Sequence, residues 1–209
     1  MSAHGDSDND NDLRAALRGR RIEAVVIGGS AGGVDALAGL LPALPEGYPL
    51  PVFCILHLPG DRESRLAALF GERLRLPVRE AADKEPIAPG TVYFAGSGYH
   101  LSIERDRTFS LSCEAPVSYA RPAIDVLMAS AADAYGPALA GILLTGANHD
   151  GADGMARIRA RGGFTVVQDP ADAQVPTMPV SAINRCKPNL ILPLARIHAL
   201  LPMLEMNEP

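Results

Sequence analysis

The chain has 209 residues, 47% of them hydrophobic, and a formal net charge of -5, enough to bury one full core and without the basic footprint of a nucleic-acid binder. No apolar run approaches the roughly 20 residues that span a bilayer, no signal-peptide core stands near the start, and Trp is absent, which argues against membrane insertion, secretion and base stacking. Cys54, Cys113 and Cys186 are an odd number without C-x-x-C spacing, which disfavours a disulfide framework or a thiolate zinc site and points to the cytoplasm.

In chain order, residues 1 to 12 are polar and acidic without periodicity and read as a disordered tail, and Arg14, Arg18, Arg20 and Arg21 form a short basic approach to the first strand. Residues 1–20 are taken as the tail and 21–209 as one domain. Strands are expected at 22–27, 52–57, 75–79, 139–144, 164–168 and 189–192, the first, second and fourth apolar throughout, as strands covered on both faces should be. Helical patterns fall at 33–42, 62–73, 122–135, 152–161, 179–185 and 194–205. Such alternation predicts a parallel sheet with helices on both faces. The interruption at 90–112 reads as an antiparallel meander of Thr91 to Ala95, His100 to Glu104 and Thr108 to Ser112, placed at a sheet edge or over its ligand end.

The stretch Val25-Val26-Ile27-Gly28-Gly29-Ser30-Ala31-Gly32-Gly33 predicts strand, tight turn and helix, and Gly28, Ser30 and Gly32 fit G-x-S-x-G. In that motif the serine hydroxyl is exposed on a sharp turn beside a helix N-terminus that can hold an oxyanion. The competing reading is a phosphate-binding turn, although Ser30 stands where a dinucleotide fingerprint needs glycine. A serine nucleophile needs a base. His57, at the end of an apolar strand, is favoured; His149 is the other candidate, read first as a solvent-facing loop residue. His198 reads as a half-buried packing residue, and His4 lies in the tail. Asp150, after the strand Leu139 to Leu144, reads either as the carboxylate that orients the imidazole or as the N-cap of the helix that follows.

Ile27 to Gly33, His57-Leu58-Pro59, Arg121 to Leu127, Leu144 to Met155 and Met178-Pro179 resemble the catalytic domain of chemotaxis receptor glutamate methylesterases of the CheB type. The resemblance implies a doubly wound α/β fold, a mostly parallel sheet of about seven strands, and an antiparallel hairpin near the active site. It also implies a Ser30, His57, Asp150 triad that demethylates γ-glutamyl methyl esters on receptor cytoplasmic helices through an acyl-enzyme, with glutamine deamidation as a further activity. Ala31, Gly32, Ala147, Asn148 and Met178 are the matching oxyanion and substrate positions; no metal or cofactor is implied. Ala31 stands where the family commonly has threonine, Ala147 where many members have methionine, and Asn148-His149 replaces a more usual Gly-Asn, so an esterase or amidase for another protein or a small ester, or an inactive receptor-binding module, are the alternatives. About 20 residues ahead of the first strand cannot hold the receiver domain of the best-known members, so the expectation is a stand-alone, monomeric catalytic domain with an open crevice, controlled by a separate partner protein if at all.

Overall fold

The computed structural model describes residues 5–57 and 64–205; His4 and the Leu58-Pro59 part of the resemblance lie outside the described residues. The strands are β1 (Ala24–Gly29), β2 (Val52–Leu56), β3 (Val78–Glu80), β4 (Val92–Phe94), β5 (His100–Ile103), β6 (Phe109–Ser112), β7 (Leu139–Leu143), β8 (Phe164–Gln168) and β9 (Leu190–Leu192). The helices are α1 (Gly5–Leu17), α2 (Gly33–Leu40), α3 (Leu66–Gly71), α4 (Ile124–Tyr135), α5 (Ala152–Ala160), α6 (Thr177–Cys186) and α7 (Leu194–Leu200). Seven strands form one sheet in the order β3-β4-β2-β1-β7-β8-β9, every neighbouring pair parallel, while β5 and β6 pair antiparallel on their own.

Strand side chains alternate between two cores, as the two-residue period of a pleat requires. Val25, Ile27, Val52, Cys54, Val92 and Phe94 meet Leu37, Leu40, Phe70, Ile197 and Leu200 from α2, α3 and α7 on one face. Val26, Phe53, Ile55 and Tyr93 meet Leu127, Met128, Met155, Ile158 and Ala182 from α4, α5 and α6, with Leu101 and Phe109 of the β5–β6 pair, on the other. Every residue of β1, β2, β7 and β8 is buried, which explains the unbroken apolar runs of β1, β2 and β7; β8 buries Thr165 and Gln168 among its apolar residues.

Two expectations are corrected. Thr91 to Ala95 is not the first strand of a meander: Val92, Tyr93 and Phe94 are 0% exposed because β4 lies inside the parallel sheet between β2 and β3, and a hairpin of β5 and β6 is all that remains. The acidic N-terminal stretch is helical from Gly5 to Leu17. Its Leu13, Ala16 and Leu17 stand at helical spacing and pack on the α2, α3 and α7 face, Leu13 being 1% exposed. The acidic composition hid this short apolar stripe.

The helices that follow the adjacent strands β1 and β7 lie on opposite faces, α2 on one and α5 on the other. This opens a crevice at the carboxyl ends of those strands, the usual ligand position in an open parallel sheet. Close approach there requires glycine at Gly28, where a Cβ would stand 2.5 Å from Ile124 Cγ2. That contact seats the first turn of α4 over β1.

Candidate active site

Three strand ends deliver the chemistry-bearing residues. Gly29 of β1 pairs with Leu56 of β2, so Ser30 and His57 are the first residues beyond the carboxyl ends of two neighbouring strands. On the other side β7 pairs with β1, and the Ser30 amide donates to the Thr145 carbonyl at 2.9 Å. Thr145 then ties the turn together: its Oγ1 donates to the Ala31 carbonyl at 2.9 Å and accepts the Val175 amide at 2.8 Å. Ser30 is half-buried on this turn. Gly32, at φ 78°, closes it ahead of α2 in a left-handed conformation that glycine adopts without strain.

The Asp150 side chain serves α4 and His57 and does not cap the helix that follows it. The residue capping α5 is Gly151, with no side-chain bond, whereas the Asp150 carboxylate, 0% exposed, reaches across to α4 and to His57. Oδ2 accepts His57 Nε2–H at 2.7 Å and the Ile124 amide at 2.7 Å; Oδ1 accepts the Asp125 amide at 2.9 Å. Burial pushes this carboxyl up, but the hydrogen bond from His57 and the two amides outweigh it and hold Asp150 below the ordinary carboxylate range. His57 and the first turn of α4 together therefore keep the acid ionised.

A neutral His57 that donates from Nε2 carries its lone pair on Nδ1. Asn148 Nδ2 lies 3.5 Å from Nδ1, and Asn148 Oδ1 accepts the Asp150 amide at 3.2 Å. Among the described residues the hydrogen bonds of the ring run to Asp150 and Asn148, and none closes to Ser30 Oγ. The Ser30 amide is committed to Thr145, and the Gly33 amide to the Ser30 carbonyl. Among the described residues the Ala31 and Gly32 amides donate to nothing, and both stand at the N-terminus of α2.

Of the other residues singled out from the sequence, Ala147 is exposed on the loop after β7. Met178 is fully buried under Gly146, where a Cβ would meet its side chain at 2.6 Å, so it supports the turn from below. His149 is exposed with Nε2 3.4 Å from Ser118 Oγ, and His198 is exposed on α7, not half-buried. Sequence reasoning missed the supporting shell: Thr145, the Ile124 and Asp125 amides, and His100, which is buried with Nδ1 accepting the Ala123 amide at 3.3 Å and Nε2 3.1 Å from the Ala115 carbonyl. A polar residue closing a buried strand was the available signal for Thr145; nothing local marks the others. A cleft of about 360 Å³ opens beside His57 and Asn148, walled by Gly98, Ser118, Tyr119 and Arg121.

Asp125 carries a separate electrostatic load. Its Oδ1 accepts the Gly154 amide of α5 at 2.7 Å, so α4 and α5 cap one another through Asp150 and Asp125. Burial and then the neighbouring Asp150 charge push Asp125 up to about 6, against the Gly154 bond. A carboxyl raised in the fold adds stability when protonated and loses it as pH rises toward about 6. Asp125→Asn, which keeps an oxygen for Gly154 and carries no charge, is therefore expected to raise the melting temperature at pH 7 and to lose that advantage near pH 4. Melting curves at the two pH values check this; equal shifts at both would contradict it.

The fold and site define an α/β domain with a carboxylate-held histidine and a serine turn at the carboxyl edge of a parallel sheet. The chain belongs to the CheB methylesterase family, whose model matches residues 25–201. A Leptospira interrogans protein provisionally named protein-glutamate methylesterase/protein-glutamine glutaminase is 40% identical over 186 residues, covering 89% of this chain and 96% of its own. The Myxococcus xanthus protein-glutamate methylesterase FrzG is 37% identical over 177 residues, covering 85% of this chain and 53% of its own. Thus the chain spans nearly all of the first relative and about half of the second. The crystal structure of the Thermotoga maritima CheB methylesterase catalytic domain superposes with a TM-score of 0.83 at 31% identity, covering 88% of this chain and 98% of that one.

Proposed function

We propose that this chain is a protein-glutamate methylesterase that hydrolyses γ-glutamyl methyl esters on the cytoplasmic helices of chemoreceptors, with Ser30 as nucleophile, His57 as base and Asp150 as orienting acid. The observation that carries the reading is the 2.7 Å Asp150–His57 contact beside Ser30, in a chain of the CheB methylesterase family. Among the described residues no helix is long and apolar enough to cross a membrane, consistent with work in the cytoplasm on the soluble part of a receptor.

The steps follow from the parts. His57 Nδ1 takes the Ser30 proton as Oγ attacks the ester carbonyl; Asp150 stabilises the imidazolium through Nε2–H. Charge builds on the carbonyl oxygen, which the uncommitted Ala31 and Gly32 amides hold. The imidazolium returns the proton to departing methanol, leaving a glutamyl ester on Ser30. Water, deprotonated by the same Nδ1, then cleaves that ester to give glutamate and free serine. A glutamine side chain enters the same route with ammonia as the leaving group.

The test is methanol release from a methylated receptor fragment compared with hydrolysis of a generic small ester. The proposal predicts release from the receptor with a much higher kcat/KM; turnover of the small ester alone contradicts it.

A further inference from the structure

Among the described residues six large apolar side chains are exposed: Val34, Tyr99, Val117, Tyr119, Val180 and Ile191. Ile191 lies on the edge strand β9 and Val180 on α6. Val34 stands in the first turn of α2, four residues after Ser30. Tyr99 follows Gly98, a wall of the cleft, and Val117 and Tyr119 belong to the segment that forms another wall. Exposed apolar groups gathered on one face mark a contact surface.

Tyr119 stands out within this set. It is 102% exposed, so no part of its ring is covered by the protein. It also sits in strained backbone, Ser118 at φ 50° and Tyr119 at φ 62°, where the usual occupants are Asn and Gly. Reciprocal bonds between Val117 and Ala120, at 3.1 and 2.9 Å, close the two-residue turn. Arg121 fixes its base by donating to the Cys113 and Glu114 carbonyls, both at 3.0 Å. The chain thus holds a rigid, strained fingertip that presents a bare aromatic ring beside His57. Strain that packing does not repay gathers at functional sites.

The cleft sets what the ring meets. About 360 Å³ suits a side chain or small molecule and not a folded polypeptide. An esterified side chain can enter while the polypeptide that bears it stays on the rim. We propose that Tyr119 is a specificity-determining contact that anchors the protein substrate by packing on an apolar side chain flanking the esterified glutamate. This rests on the methylesterase reading and names how that site selects protein over small esters.

The experiment measures methanol release from a methylated receptor fragment and hydrolysis of p-nitrophenyl acetate with the wild-type protein, Tyr119→Gly and Tyr119→Phe. Glycine suits φ 62° better than tyrosine, so any loss in Tyr119→Gly comes from the missing ring and not from a broken turn. The expected result is a receptor KM raised about tenfold or more in Tyr119→Gly, a loss at least about tenfold larger than that on p-nitrophenyl acetate, and recovery in Tyr119→Phe. A receptor KM within about twofold of wild type, or equal losses on both substrates, overturns the inference while the methylesterase reading stands. A wild-type protein inert toward the receptor fragment but active on p-nitrophenyl acetate overturns both.

Discussion

Ser30→Ala and His57→Ala are each expected to lower turnover on the order of 10⁴- to 10⁶-fold, and the double variant to be no slower than either single one. Without Oγ no acyl-enzyme forms. Without the imidazole Oγ keeps its proton at neutral pH and is a poor nucleophile. The two act as one unit, so removing the second partner takes away nothing that still operates. What survives is the modest rate from the Ala31 and Gly32 amides and from substrate positioning. Methanol release by the three variants, with melting curves to show that the fold persists, checks this. Additive losses, or near-wild-type turnover in His57→Ala, would contradict the pairing and turn attention to His149.

Asp150→Asn is expected to damage both catalysis and the fold, because the carboxylate accepts three N–H groups and an amide has one oxygen. If the amide oxygen takes the Oδ2 position, its NH₂ faces the Asp125 amide at a site 2.9 Å away, and the α4 cap is lost. If it takes the Oδ1 position, the NH₂ faces the Ile124 amide and His57 Nε2, both 2.7 Å away. The ring must then carry its proton on Nδ1, the atom needed as base. Turnover should fall about 10²- to 10⁴-fold, less than for Ser30→Ala. A buried donor left facing a donor costs about 1–3 kcal/mol. Because Asp150 is held below the ordinary carboxylate range, its contribution is present above about pH 3.9 and is lost as pH falls through its folded pKa. The stability gap between wild type and Asp150→Asn should therefore narrow in acid, opposite in sign to the behaviour expected of Asp125→Asn.

The reach of the sequence follows from how local each signal is. Buried strands β1, β2 and β7 are continuous apolar runs ending in Gly-Ser, His and Thr-Gly, so the parallel sheet and the edge that carries Ser30, His57 and Asp150 could be read directly. β4 was read in the wrong pairing because alternation in a three-residue strand does not say which partner covers its second face. α1 was missed because three apolar positions are outweighed by acidic neighbours in any compositional window. The Asp150 contacts to Ile124 and Asp125 span 26 and 25 residues, and no local pattern encodes them; they exist because Gly28 lets α4 close over β1. The strained turn at Ser118-Tyr119 was likewise invisible, since neither residue announces positive φ.

Whether Ser30 is a nucleophile activated by His57 is decided by fluorophosphonate labelling followed by digestion and mass spectrometry of the adduct. One adduct is expected on the peptide bearing Ser30, formed quickly in wild type, far more slowly in His57→Ala and not at all in Ser30→Ala. An unlabelled Ser30, or labelling at the same rate without His57, would contradict it.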